Sequence, residues 1–331
     1  MKVCIYGVGA IGGFIGTRLA LAGGCQVSAV ARGATLAALQ QHGLRLRQGG
    51  ELLAAPVRAS ADPAALGVQD LVVVAVKGPA LGAVAAAIGP LIGPKTLVLP
   101  AMNGVPWWFG SGAAAALGDA PLHSIDPGGA IAAAIPLAQV IGCVVHASTF
   151  TCAPGLVEHK MGQGLILGEP AGGSSERAQA LVALLKTAGF DASASADVRR
   201  DIWYKLWGNM TMNPITAITG ATVDRVLDDP LVRALCGAAM NEAAAVGARI
   251  GCAIDQTPED RHQITRRLGA FKTSMLQDVE AGRAIELDAL VAVVREMAQR
   301  VGLATPMIDA LLGLARLHGR VHGLYPEAQP G

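Results

Sequence analysis

The chain has 331 residues, 52% of them hydrophobic and 15% charged, a composition that folds and that suits two domains better than one core. A formal net charge of +1 and a sequence pI near 7.7 imply no basic surface, so nucleic acid is not an expected partner. No uninterrupted apolar run reaches the roughly 20 residues of a bilayer span, so no membrane segment is expected.

The opening run Met1–Tyr6 is too short for the apolar core of a signal peptide and predicts a strand over 3–6. Helical character follows over 11–22, a strand over 26–31 and a short helix over 35–41. The fully apolar run Leu71–Val76 predicts the buried middle strand of a parallel sheet. A helix over 81–88 and a strand over 96–99 continue a βαβ rhythm, which predicts an open, doubly wound α/β sheet. From about Ile141 the pattern changes, and 142–146, 155–158 and 165–167 predict a partly antiparallel addition, followed by a helix over 175–188. Beyond about Asp197 only helices are predicted: 198–212, 231–250, 259–268, 287–301 and 306–318, with Pro258 and Pro306 in first turns. The expected domains are therefore 1–196 and an all-helical 197–331. The apolar C-terminal helices would serve either a homodimer interface or that domain's own core.

The six cysteines, Cys4, Cys25, Cys143, Cys152, Cys236 and Cys252, include no C-x-x-C pair. They read as scattered reduced thiols of a cytoplasmic protein, with no metal site.

Gly7-Val8-Gly9-Ala10-Ile11-Gly12 follows the first strand directly and opens a helix. Gly7 permits the tight turn, Gly9 lets a pyrophosphate approach the backbone, and Gly12 lets helix and strand pack closely. The helix N-terminus offers free N–H groups and a partial positive charge to phosphates. An NAD site would carry Asp or Glu after the second strand, to bond the ribose 2′-hydroxyl. Here that strand runs Ala29-Val30-Ala31-Arg32, and no Asp or Glu occurs before Gly50. Arg32 would pair with a 2′-phosphate through its planar fork, which predicts NADPH; the alternative is an exposed arginine in a turn.

Lys77 and Asn103-Gly104 follow two further strands, where ligands of open α/β sheets bind. Lys77 is either a cofactor contact or a solvated lysine. Asn103 either bonds near the nicotinamide or makes a simple Asn-Gly turn.

In the second domain Lys205, Asn209 and Asn213 are four residues apart and share one helix face, beside the apolar Trp203, Leu206, Met210 and Met212. Pro214 disfavours helical geometry at Asn213, which is expected at a kink or in the last turn. The alternative is a solvated polar stripe with its aromatic neighbours in the core. A second constellation is Ser274–Asp278, followed by Glu286 and Asp288 at a helix start; both carboxylates could be dipole partners of that helix.

Taken in order, the glycine loop, Lys77, Asn103-Gly104, Lys205-x3-Asn209-x3-Asn213-Pro214, Ser274–Asp278 and Glu286-x-Asp288 resemble the ketopantoate reductase family over most of the chain. The resemblance implies a Rossmann-type N-terminal domain, an all-helical C-terminal domain and a cleft between them. It implies Lys205 as catalytic acid and Glu286 as its partner or as a contact to cofactor or substrate. Asn103, Lys205, Asn209, Asn213 and Ser274 would bind substrate, and Gly7–Gly12, Arg32, Lys77 and Asn103 would hold NADPH. The expected activity is reduction of a 2-keto acid, 2-dehydropantoate, at its C2 carbonyl.

Three departures bear on the substrate. The Asn-Gly pair that commonly follows Glu-x-Asp is missing after Asp288, an asparagine common near the position of Val223 is absent, and Trp107-Trp108 adds bulk after Asn103. Another branched or aromatic 2-keto acid, with the tryptophans lining a wider pocket, stays open as the substrate. A non-catalytic NADPH-binding protein is the reading from another class; the Lys205 stripe argues against it, since a pure binder needs no proton donor.

Overall fold

A computed structural model describes residues 1–327. The tail of the second expected domain, 328–331, lies outside the described residues. In chain order the first elements are β1 (Lys2–Tyr6), α1 (Ala10–Ala22), β2 (Gln26–Val30) and α2 (Gly33–His42). Next come β3 (Leu44–Gln48), β4 (Glu51–Ala55), β5 (Arg58–Ser60), β6 (Leu71–Val74), α3 (Leu81–Ala87) and β7 (Leu97–Pro100). Two short helices, α4 (Ala114–Leu117) and α5 (Ala130–Ala134), precede β8 (Gly142–Ala153), β9 (Leu156–Gly168), α6 (Glu176–Thr187) and β10 (Asp191–Ser195). The rest is helical: α7 (Val198–Thr219), α8 (Val223–Asp228), α9 (Pro230–Arg249), α10 (Pro258–Arg266), α11 (Ser274–Glu280), a π-helical turn Asp288–Ala292 leading into α12 (Val293–Arg300), and α13 (Pro306–Val321).

Five parallel strands form a sheet in the order β5-β2-β1-β6-β7. Its central strands are apolar because both faces are covered: Val3, Cys4, Ile5 and all of Leu71–Val74 have no exposed surface. The order reverses at β1, so the crevice beyond the carboxyl ends of β1 and β6 is the point where open α/β sheets bind ligands. This is a Rossmann-type sheet, and the chain from about 198 onward is mostly helical.

The late addition is a second sheet, β10-β9-β3-β4, with β8 antiparallel to β9. The two runs expected as separate strands, 155–158 and 165–167, are one strand, β9. Its apolar pattern breaks at Gly162, which has φ +72° and lies where the β8 register shifts. A continuous core under α1 and α6 joins the two sheets.

The chain divides into two compact units, Met1–Trp108 with Gly129–Asp201, and Phe109–Gly128 with Ile202–Gly331. Within the second unit α7 runs to Thr219 with Pro214 inside it, so of the two places expected for Asn213, a kink or the last turn, it is not in the last turn. Interior proline costs a helix about 3 kcal/mol or more. Burial of Met212 and Ile215 among Val223, Val226, Leu227 and Leu311 offsets it. Pro258 and Pro306 both occupy first turns.

Candidate active site

The glycine loop lies at the end of β1. The Gly7 N–H donates to the Val30 carbonyl at 3.1 Å, and Gly7 has φ +94°, a conformation that favours glycine. A Cβ on Gly7 would meet the Val76 side chain at 2.5 Å, and one on Gly12 would meet the Gly7 carbonyl oxygen at 2.0 Å. Gly9 differs: a Cβ there would meet nothing within 4 Å. Gly9 is the N-cap of α1, with no side-chain cap and no acidic residue in the first turn. Val8 is buried, whereas Ala10 and Ile11 are half-buried. The loop thus brings an uncapped helix N-terminus to an open backbone position, a donor set that fits the pyrophosphate of a dinucleotide.

Arg32, Lys77 and Asn103 stand at the carboxyl ends of β2, β6 and β7, the edge of the sheet that carries the glycine loop. Arg32 is exposed and is the N-cap of α2. Burial pushes the Tyr6 phenol up, and the neighbouring Arg32 guanidinium partly offsets that push. Lys77 is half-buried and caps the short turn Gly78–Ala80. Asn103 is half-buried in a bend, and Gly104 after it has φ +80°. Trp107 and Trp108 are buried at 5% and 2% exposure, and the Trp108 ring would lie 3.0 Å from a Cβ on Gly142. Small Gly142 gives the Trp108 indole its seat.

In the second unit, Lys205 and Asn209 are half-buried on α7 and Asn213 is buried. The helix is anchored by Trp203 and Trp207, both 1% exposed; the Trp207 indole N–H donates to the Met240 carbonyl at 2.7 Å. The stripe therefore runs from partly exposed at Lys205 and Asn209 to buried at Asn213.

One turn after Asn213, the Thr216 hydroxyl donates to the Asn213 carbonyl at 3.0 Å and lies 2.6 Å from the Thr273 hydroxyl. Thr273 in turn accepts from the Leu276 N–H as the N-cap of α11, whose first residue is the exposed Ser274. Two buried threonines thus tie the end of the polar stripe to the Ser274 turn. Neither threonine stands out in the sequence, although Thr before a helix start is an N-cap signal.

Glu286 is half-buried between the buried Ile285 and Leu287 and precedes the π-helical turn, whereas Asp288 is its first residue. Asp288 accepts from the Tyr325 hydroxyl at 2.6 Å, and burial raises its carboxyl above the usual range. Its partner is the phenol, with no side-chain cap on the helix N–H groups.

Among the described residues no group of three or more His, Cys, Asp and Glu could hold a metal, and no helix is long and apolar enough to cross a membrane. All six cysteines are free; burial pushes the Cys4 thiol up to about 11 and that of Cys236 to about 12.

Residues 3–172 match the family model for ketopantoate reductase PanE/ApbA, and residues 197–319 match that for its C-terminal domain. The chain is 44% identical to a 2-dehydropantoate 2-reductase of Mesorhizobium japonicum, across 98% of this chain and 100% of that one. A solved structure from Ralstonia solanacearum, provisionally assigned as a ketopantoate reductase, is 57% identical with a TM-score of 0.93, covering 98% of this chain and 99% of that one. D-mandelate dehydrogenase, solved with NADH and anilino(oxo)acetate, shares the fold at 21% identity and a TM-score of 0.82, covering 98% of this chain and 100% of that one. The chain belongs to the ketopantoate reductase PanE/ApbA family, whose members are NAD(P)H-dependent oxidoreductases.

Proposed function

We propose that the protein reduces 2-dehydropantoate (ketopantoate) to pantoate with NADPH, a step of pantothenate biosynthesis. The observation that carries this reading is the Lys205-Asn209-Asn213 face, half-buried to buried on α7, in a chain similar along its whole length to a 2-dehydropantoate 2-reductase.

Gly7–Gly12 cradle the pyrophosphate, and Arg32 pairs with the 2′-phosphate, where a carboxylate would repel it. Lys77 and Asn103 complete the cofactor contacts. When bound, NADPH supplies a hydride to the C2 carbonyl carbon. Negative charge grows on the carbonyl oxygen as that bond forms, and the Lys205 ammonium stabilises it and donates the proton that completes the hydroxyl. General-acid transfer of this kind contributes about 10²–10⁴-fold. Asn103, Asn209, Asn213 and Ser274 hold the substrate oxygens, and Glu286 anchors Lys205 or a ribose hydroxyl. The six free thiols suit the reducing cytoplasm.

A second reading keeps this chemistry and changes the substrate to a more apolar 2-keto acid. It is favoured by Val223, which stands near a common family asparagine and is 1% exposed in an apolar cluster. Steady-state oxidation of NADPH with ketopantoate against branched and aromatic 2-keto acids, with NADH as control, separates the two. The highest kcat/KM on ketopantoate with NADPH supports the proposal; a higher value on another keto acid replaces the substrate.

A further inference from the structure

The guanidinium of Arg261, on α10, lies against α7. Its Cζ is 4.7 Å from the centre of the Tyr204 ring. A Cβ on Gly208 would stand 2.9 Å from its Nε and 3.2 Å from its Nη2. Tyr204 and Gly208 each immediately precede a member of the polar stripe, Lys205 and Asn209. The guanidinium therefore runs along the flank of that stripe for one full turn.

The seat costs helix stability. Glycine in a helix interior is less favourable than alanine, and here its missing Cβ is the space the guanidinium fills. The seat is also rigid. A capping box of Thr257 and Asp260 fixes the start of α10, and the Tyr204 hydroxyl donates to Gln256 at 2.7 Å.

Yet the charge has no carboxylate partner among the described residues. Among the described residues no salt bridge or hydrogen bond engages the Arg261 guanidinium, and its Nε is buried without a partner. A half-buried, stacked guanidinium of this kind is pre-organised for a planar anion.

We propose that Arg261 is a specificity-determining residue that recognises the C1 carboxylate of the substrate. The assignment rests on the 2-keto acid reductase reading above. Lys205 serves the C2 oxygen, and a fixed cation held against Tyr204 and Gly208, the residues just before Lys205 and Asn209, suits the carboxylate on the neighbouring carbon. The stacked fork selects keto acids over neutral keto compounds of the same skeleton.

The test uses the NADPH-loaded full-length enzyme with ketopantoate and its neutral C1 amide. Arg261→Gln should cut the acid-over-amide preference in kcat/KM by at least about 30-fold, carried more by KM than by kcat. Arg261→Lys should recover part of the preference, since it keeps the charge and loses the fork. Gly208→Ala should reduce the preference without lowering the melting temperature, an outcome that a purely structural role for the seat does not produce. An unchanged preference in folded Arg261→Gln overturns the assignment. If the wild type reduces neither compound, the reductase reading fails, and calorimetric titration of ketopantoate then decides on Arg261. Binding at least about 30-fold weaker in Arg261→Gln upholds the anion site; equal binding, or none to the wild type, overturns it.

Discussion

The carbonyl oxygen of Gly7 lies 2.0 Å from where a Cβ on Gly12 would stand, whereas a Cβ on Gly9 would meet nothing within 4 Å. The two glycines therefore serve different ends. Gly12→Ala forces backbone apart and should cost about 3 kcal/mol or more of stability. Gly9→Ala should leave the melting temperature nearly unchanged and weaken NADPH at least about tenfold, because only a ligand uses that space. Thermal melts and fluorescence titration of NADPH check the pair; equal loss of stability in both variants would remove the ligand role from Gly9.

Arg32 is exposed, so its removal should cost little stability. Arg32→Gln should lower the kcat/KM ratio of NADPH to NADH by about 10–100-fold, the loss of a bidentate phosphate contact. An unaltered cofactor ratio would return Arg32 to the turn reading.

Tyr325 and Asp288 form a pH-sensitive pair. Burial raises the Asp288 carboxyl, and the Tyr325 hydroxyl bond partly lowers it. A carboxyl raised on folding holds its proton more tightly in the folded state, so stability is highest below the unfolded carboxyl range. It declines as pH climbs through the folded value. Tyr325→Phe removes the hydrogen bond to the charged form. It should therefore cost about 1–3 kcal/mol at pH 7 and clearly less at pH 4. Urea unfolding at the two pH values measures this, and a loss larger at pH 4 would contradict the assignment.

Thr273→Ala removes both the N-cap of α11 and the contact to Thr216. About 1–2 kcal/mol of stability should go, with a rise in KM for the keto acid, because the Ser274 turn loses its tie to α7. Valine at 273, which keeps the shape and loses both bonds, should behave like alanine.

Patterns that depend on near neighbours were legible in the sequence. The apolar runs of β1 and β6, the glycine loop between strand and helix, and Pro258 and Pro306 in first turns all reflect local steric rules. Features decided by distant packing were not. The alternation Leu44-Arg45-Leu46 of β3 makes sense only once β9 is beside it. Asn213-Pro214 stays helical because Met212 and Ile215 are buried on residues far along the chain. The segment Phe109–Gly128 groups with the helices because Glu296 accepts the His123 and Ser124 N–H groups at 2.8 Å each, a pairing across more than 170 positions. At the site, the strand-end positions of Arg32, Lys77 and Asn103 followed from the βαβ rhythm. The Thr216–Thr273 pair and the Arg261 seat lay hidden in long-range contacts.

Proton donation by Lys205 is most directly tested by stopped-flow oxidation of NADPH with saturating ketopantoate in wild type and Lys205→Ala, with the NADPH affinity of each measured alongside. The rate should fall at least about 100-fold in the variant while NADPH affinity stays within a fewfold of wild type. A rate within a fewfold of wild type would show that another group protonates the carbonyl oxygen.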